Sequence, residues 1–162
     1  MTRVLCLLTM VLWAFVAQAQ DFAQHFVSSC NDDTTISCIT ISPKMFEEIR
    51  IRQGLVKDES MREAINDIKS VRIVEARRHC KKHFNKASSQ LSRNSNRFEI
   101  LPESTDKNIV AVRRRGGNIV EYVTICHIQK KDQQFLIIDI TGNDLSSVVK
   151  YLNQPKPLRK ND

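Results

Sequence analysis

Five residues carry the side chains best suited to metal or nucleophilic chemistry: His79, Cys80, His83, Cys126 and His127. His79 and His83 are four apart, so on a helix they share one face and could ligate a single ion. Cys126-His127 could add ligands from a strand. The spacing departs from that of a closed zinc site, because the chain has no Cys-x-x-Cys pair and no second His-x-x-x-His. A simpler assignment puts Cys80 in the buried stripe of a helix and leaves the histidines on its basic flank. Cys126 with a distant histidine would make a nucleophilic pair, although a cysteine inside a strand usually serves packing.

Other catalytic signatures are weaker. There is no Gly-x-Ser-x-Gly elbow, no Cys-x-x-Cys-His haem site and no Walker motif. The adjacent acids Glu47-Glu48 and Asp58-Glu59 point different ways on a helix or turn, which suits solvation or helix N-terminal charge rather than a glycosidase pair. Gly116-Gly117 precedes a strand, so it reads as a hairpin turn and not as a phosphate-cradling loop. No cofactor and no metal is expected, and no catalytic residue is assigned.

Two runs of cations are the remaining candidates. Arg77, Arg78, Lys81 and Lys82 begin a helix, and Arg113, Arg114 and Arg115 end a strand. If the runs share a side, they form one surface for phosphates, acidic glycans or an acidic protein, a task for which arginine's planar fork is well shaped. Aromatic platforms for nucleic-acid bases are few, with only Tyr122 and Phe135 on nearby strands, so nucleic acid is not the expected partner.

The elements that must position these residues follow from periodicity. Phe135-Leu136-Ile137-Ile138-Asp139-Ile140 is the most apolar run after the leader, with apolar groups on both faces of a strand, which places it inside a sheet. Strands are expected over 36–41, 71–76, 97–101, 108–114, 119–128 and 134–141. Asn108–Arg114 and Ile119–Ile128 should form a hairpin through Gly116-Gly117. Phe22, Phe26 and Val27 could share one side of a short lead-in helix. Ser42-Pro43 starts a helix that Gly54 ends, Ser60 and Glu63 match a capping box, and helices follow over 77–92 and 144–152. The order β-α-α-β-α-β-β-β-β-α predicts an α+β two-layer sandwich. Its one mixed, largely antiparallel sheet has about six strands and helices mainly on one face. The β-α-β crossovers would make their strands parallel if those strands are neighbours. Strand 119–128 is apolar on both sides, so its second face is left to the lead-in or to another molecule.

Met1-Thr2-Arg3, the apolar run Val4–Val16 and Ala17-Gln18-Ala19 have the order of a signal peptide, cleaved after Ala19. Residues 1–19 are therefore expected to be removed, 20–35 to form the lead-in, 36–153 the domain and 154–162 a disordered polar tail. No later run approaches membrane-spanning length. The expected address is the periplasm or cell envelope, or the medium. The whole chain carries a formal charge of +7. From Gln20 to Glu75 there are 7 Lys and Arg against 10 Asp and Glu, a charge of −3, and from Ala76 onward 17 against 8, a charge of +9. Cys30, Cys38, Cys80 and Cys126 remain after the leader, and in an oxidising compartment four cysteines allow three full pairings or buried thiols.

Cys38-Ile39-Thr40-Ile41-Ser42-Pro43-Lys44-Met45-Phe46, and Phe135-Leu136-Ile137-Ile138-Asp139-Ile140-Thr141-Gly142 running into Asp144-Leu145-Ser146-Ser147-Val148-Val149, resemble the envelope proteins of Bacteroidetes known as domain of unknown function 4252. Some members of that family are lipoproteins, and this leader has no cysteine placed for lipidation. The resemblance implies an envelope address and an α+β fold but supplies no catalytic residues. The expected function is a non-enzymatic exported module that binds a protein or anionic partner. The rival is a metal-binding protein or Cys/His enzyme built on His79, Cys80, His83, Cys126 and His127, and a third reading is a purely structural envelope component.

Overall fold

The strand Gln134–Gly142, here β6, lies third in a six-stranded sheet of order β1-β2-β6-β5-β4-β3, and every neighbouring pair is antiparallel. The computed structural model describes residues 20–52, 58–129 and 133–153. The leader, Gly54 and the tail from 154 onward lie outside the described residues. In chain order the elements are α1 Phe22–Ser28, β1 Ile36–Ile41, α2 Pro43–Ile51, α3 Glu59–Asp67, β2 Ile68–Ala76, α4 Cys80–Arg93, β3 Glu99–Ile100, β4 Asn108–Arg115, β5 Asn118–Ile128, β6 and α5 Ser146–Leu152.

The α+β class, the six strands and the Gly116-Gly117 hairpin are as expected. Arg115 pairs with Asn118 across a two-residue turn whose glycines take φ of 59° and 91°, values that side chains other than glycine rarely adopt. Two features differ. β1 and β2 are antiparallel, because a pair of helices joins them: α2 runs away from the end of β1 and α3 returns, so β2 starts beside Ile41 and runs back. A single helix, α4, does carry β2 to a strand of the same direction, but that strand is β3 at the far edge of the sheet. The helices also divide between both faces.

On one face α1 and α4 pack Phe22, Phe26, Phe84, Ala87 and Leu91 against Val74, Ala111, Val123, Ile125, Phe135 and Ile137. The Phe26 and Phe135 rings stand 5.5 Å apart and Phe22 meets Phe98 edge-on at 5.8 Å. The lead-in is thus part of the core, and it shares this face of the sheet with α4. On the other face α2, α3 and α5 bring Phe46, Ala64 and Val148 onto Val110, Val112, Tyr122 and Ile140.

Helix starts follow local chemistry. Ser42 precedes Pro43 as expected, with Met45 N–H directed to its Oγ at 3.4 Å. The cap of α3 is Asp58, not Ser60: its Oδ1 accepts from Ser60 N–H (3.0 Å), Ser60 Oγ (2.6 Å) and Met61 N–H (3.3 Å). Gly142 closes β6 where a Cβ would lie 2.3 Å from the Asp67 carbonyl oxygen and 2.4 Å from Leu145, so only glycine lets β6 and α5 meet there. The third strand shrinks from 97–101 to Glu99–Ile100, and Pro102 follows directly after Leu101.

Candidate functional site: a basic cleft over a buried carboxylate pair

The two cation runs do not share a side. Ala76, the last residue of β2, pairs with Phe135, which pairs with His127, whereas Arg113 pairs with Glu121 and Glu121 with Thr141. His127 lies six steps along β5 from Glu121, about 20 Å at the rise of a strand. Arg77, Arg78, Lys81 and Lys82 therefore sit at one end of the sheet and Arg113, Arg114 and Arg115 at the other, so the single surface expected from the sequence is not formed. Within the first run, Arg77 Nε lies 2.9 Å from Glu75 and the others are exposed. Within the second, neighbouring residues of β4 point to opposite faces of the sheet: Arg113 Nε meets Glu121 Oε2 at 2.6 Å, and Arg114 Nε meets Glu99 at 3.0 Å.

The five cysteine and histidine residues are likewise dispersed. Cys80 donates to the Ala76 carbonyl at 3.4 Å in the core stripe of α4. His83 is buried with its Nε2 3.3 Å from Thr35 Oγ1 and 3.6 Å from Asp33. Burial holds the His83 pKa below the usual imidazole value, against the pull of the Asp33 charge. His79 occupies a left-handed backbone position (φ 53°) before α4, and its ring is 6.4 Å from that of His83. Cys126 donates to Asn108 Oδ1 at 3.1 Å on one face of β5, and burial pushes its thiol pKa up, away from the thiolate that a nucleophile needs. His127, on the opposite face, stacks beside Phe84 at 5.9 Å. Among the described residues no group of three or more His, Cys, Asp or Glu is placed to hold a metal ion. The cysteines Cys30, Cys38, Cys80 and Cys126 are all unpaired thiols.

The sequence reading missed the most distinctive charges. Glu121 and Asp139 project from β5 and β6 onto the face covered by α1, and they are 0% and 1% exposed. Glu121 Oε1 accepts the Phe22 N–H at 2.7 Å and Asp139 Oδ2 accepts the Ala23 N–H at 2.7 Å. Asp21 accepts the Gln24 N–H at 2.8 Å, and the His25 N–H reaches the Asp21 carbonyl at 3.1 Å. The Phe22, Ala23 and Gln24 N–H groups, which have no partner within the helix, are thus all satisfied by carboxylates, an arrangement that also suits the positive end of α1. Burial raises both pKa values. The Arg113 charge opposes this at Glu121, while at Asp139 the Glu121 charge adds to it. Asp139 Oδ1 has no hydrogen-bond partner, so it offers a place for the proton. The signal was present in the sequence: Glu121 and Asp139 each interrupt an apolar stretch of a strand, and an acid buried there must be paired or protonated.

Beside this pair the surface opens into a cleft of about 860 Å³ where Lys69, Arg72, Arg113 and Arg115 converge, with Asp21 as the acid in its lining. Arg72 opposes Asp139 in the β2–β6 register. Its Nη1 donates to both carboxylate oxygens of Asp21 and, at 3.2 Å, to Gln24 Oε1, while its Nε donates to Thr40 Oγ1 at 3.1 Å. Lys69 and Arg115 are exposed on the rim. Arg72 is met by Asp21 and Arg113 by the buried Glu121, so the positive potential of the cleft comes from the exposed Lys69 and Arg115 on its rim.

Among the described residues no helix is long and apolar enough to cross a membrane. No protein-family model, curated protein or solved structure matches the chain, so its chemistry rests on this geometry.

Proposed function

We propose that the chain is a non-enzymatic, exported module of the bacterial envelope that binds an anionic partner through the cleft formed by Lys69, Arg72, Arg113 and Arg115. The observation that carries this reading is the exposure of Lys69 and Arg115 on the rim of one cleft, beside Arg72 and Arg113, which are met by Asp21 and Glu121. The export address and the envelope family remain proposals drawn from the leader and from the 38–46 and 135–149 patterns. Two further observations favour binding over chemistry. The cysteines and histidines are scattered over both faces of the sheet, and the buried carboxylates are sealed beneath α1 rather than open to a substrate. Tyr122 and Phe135 are both buried, so neither offers a ring on which nucleic-acid bases could stack.

Retention on heparin against rising salt, with Lys69→Glu/Arg115→Glu beside wild type, tests the reading. Both residues are exposed, so the variant should keep its melting temperature and elute at much lower salt. Equal elution would reject the cleft as the binding site. Intact mass of the exported protein tests the address, with a chain beginning at Gln20 as the expected result.

A further inference from the structure

We propose that the cleft receives one oxyanion group, a carboxylate, phosphate or sulfate, which takes the place of the Asp21 side chain on Arg72. Asp21 is then a tethered competitor of the ligand, and occupancy of the cleft loosens the first turn of α1. The proposal rests on the reading of the cleft as an anion site and deepens it.

Of the four cations, Arg113 is committed: its partner Glu121 is fully buried, and taking the guanidinium away would strand that charge. Arg72 is held differently. Its partner Asp21 lies on the surface segment that leads into α1, with side-chain exposures of 19% for Arg72 and 14% for Asp21. The guanidinium is steadied independently by Thr40 through Nε, so it keeps its aim when Asp21 leaves. A carboxylate gripped by an arginine inside a cation-lined cleft is the image of the ligand such a cleft would take. The exchange replaces one anion by another, so no charge is left uncompensated. Lys69 and Arg115 face the same space and favour an incoming group with more charge than a carboxylate.

The consequence for α1 is local. Asp21 caps the helix by accepting the Gln24 N–H, and that bond goes when Asp21 swings out. Phe22 and Ala23 stay anchored to Glu121 and Asp139, and Phe26 stays in the core. Ligand binding should therefore expose the Gln24 amide while leaving the rest of α1 protected.

The test uses the mature chain as wild type, Asp21→Asn and Arg72→Gln. The probes are inorganic phosphate, a sulfated heparin fragment and phosphatidylglycerol vesicles. Asparagine still caps a helix but carries no charge to compete. Asp21→Asn should bind the effective probe about two- to fivefold more tightly, the scale of losing one partly exposed ion pair. Arg72→Gln should bind more weakly than wild type. Hydrogen exchange at the Gln24 amide should quicken when wild type is saturated. Which probe binds separates a free anion from a glycan sulfate or a lipid headgroup. Equal affinity in wild type and Asp21→Asn, or unchanged Gln24 exchange at saturation, overturns the competition while leaving the cleft reading in place. Failure of all three variants to bind every probe overturns the cleft reading and this proposal with it.

Discussion

Asp139 Oδ2 accepts the backbone N–H of Ala23 at 2.7 Å across 116 positions of chain, in a place where Asp139 is 1% exposed. The acid at the middle of the central strand β6 is thus the seat of the N-terminal helix. Its neighbours are arranged to tolerate it. Glu121 holds the adjacent N–H of Phe22, Arg113 covers Glu121, and Arg72 covers Asp21. Three acids face two arginines, and the excess negative charge is relieved most simply by a proton on Asp139.

Stability should therefore depend on pH through Asp139. Burial and the Glu121 charge raise its folded pKa, so the folded state keeps a proton that the unfolded chain releases near the ordinary carboxylate value of about 4. That contribution is complete below the unfolded pKa and is lost as pH rises through the folded value. Burial raises the Glu121 pKa as well, and Glu121 acts in the same direction. His83, whose pKa is lowered, acts oppositely as pH rises toward its unfolded value of about 6.5. The clean measurement is a difference. The melting temperature of Asp139→Asn minus that of wild type should increase between about pH 4 and pH 8. A pH-independent difference would show that Asp139 is ionised in the folded state throughout.

In β6 the two faces are not equally buried. Ile137 is fully buried among Val74, Ile125 and the aromatic rings of α1, whereas Ile138 on the opposite face is only half-buried. Ile137→Ala should cost about 2–5 kcal/mol, with Ile138→Ala clearly less, because both the transferred surface and the cavity left behind scale with burial. Urea denaturation of the two variants decides it. Equal losses would mean that the helices on the Ile138 face pack as tightly as those over Ile137.

The start of α3 offers a second local comparison. Asp58 Oδ1 accepts three hydrogen bonds there, only one of which, from the hydroxyl, involves the Ser60 side chain. Asp58→Ala should lower the melting temperature by roughly a few degrees and Ser60→Ala by less. A larger effect at Ser60 would restore it as the cap.

These residues show how far local pattern reaches. The place of each strand, the Gly116-Gly117 turn and the stripes of α1 and α4 were legible because each depends on alternation, glycine or spacing within a few residues, whereas β2 begins at Ile68 rather than at 71 and β3 keeps only Glu99–Ile100. Asp58 was misread because Ser60 with Glu63 satisfies the same local rule two positions later. Which helix covers which face was not legible. It depends on whether one helix or two joins a pair of strands, and so on where each chain segment returns to the sheet. The cleft was half legible. Arg113 and Arg115 stood out as a run, but Lys69 and Arg72 join them only through the β2-β6-β5-β4 order, and Asp21 only through the docking of α1 on Glu121 and Asp139.

That order fixes the final expectation, which concerns the two basic runs. Because Arg77, Arg78, Lys81 and Lys82 lie about 20 Å along the sheet from Arg113, Arg114 and Arg115, more than two Debye lengths at physiological salt, the ends should act independently. Changing Arg78, Lys81 and Lys82 to glutamate should shift heparin elution little if the Lys69–Arg115 cleft is the binding site, and any shift should add to that of Lys69→Glu/Arg115→Glu without coupling. The three arginines of the second run should also separate. Arg115→Glu touches an exposed side chain and should leave the melting temperature unchanged. Arg113→Glu removes the cation 2.6 Å from a fully buried carboxylate and sets a second acid beside it, which should destabilise by about 3–5 kcal/mol. Adding Glu121→Gln to Arg113→Glu should recover part of that loss, because the stranded charge is then gone. Salt elution and denaturation curves measured on the same variants separate binding from folding. Strong coupling between the two ends, or an Arg113→Glu variant as stable as wild type, would show that the charges do not divide as the sheet order requires.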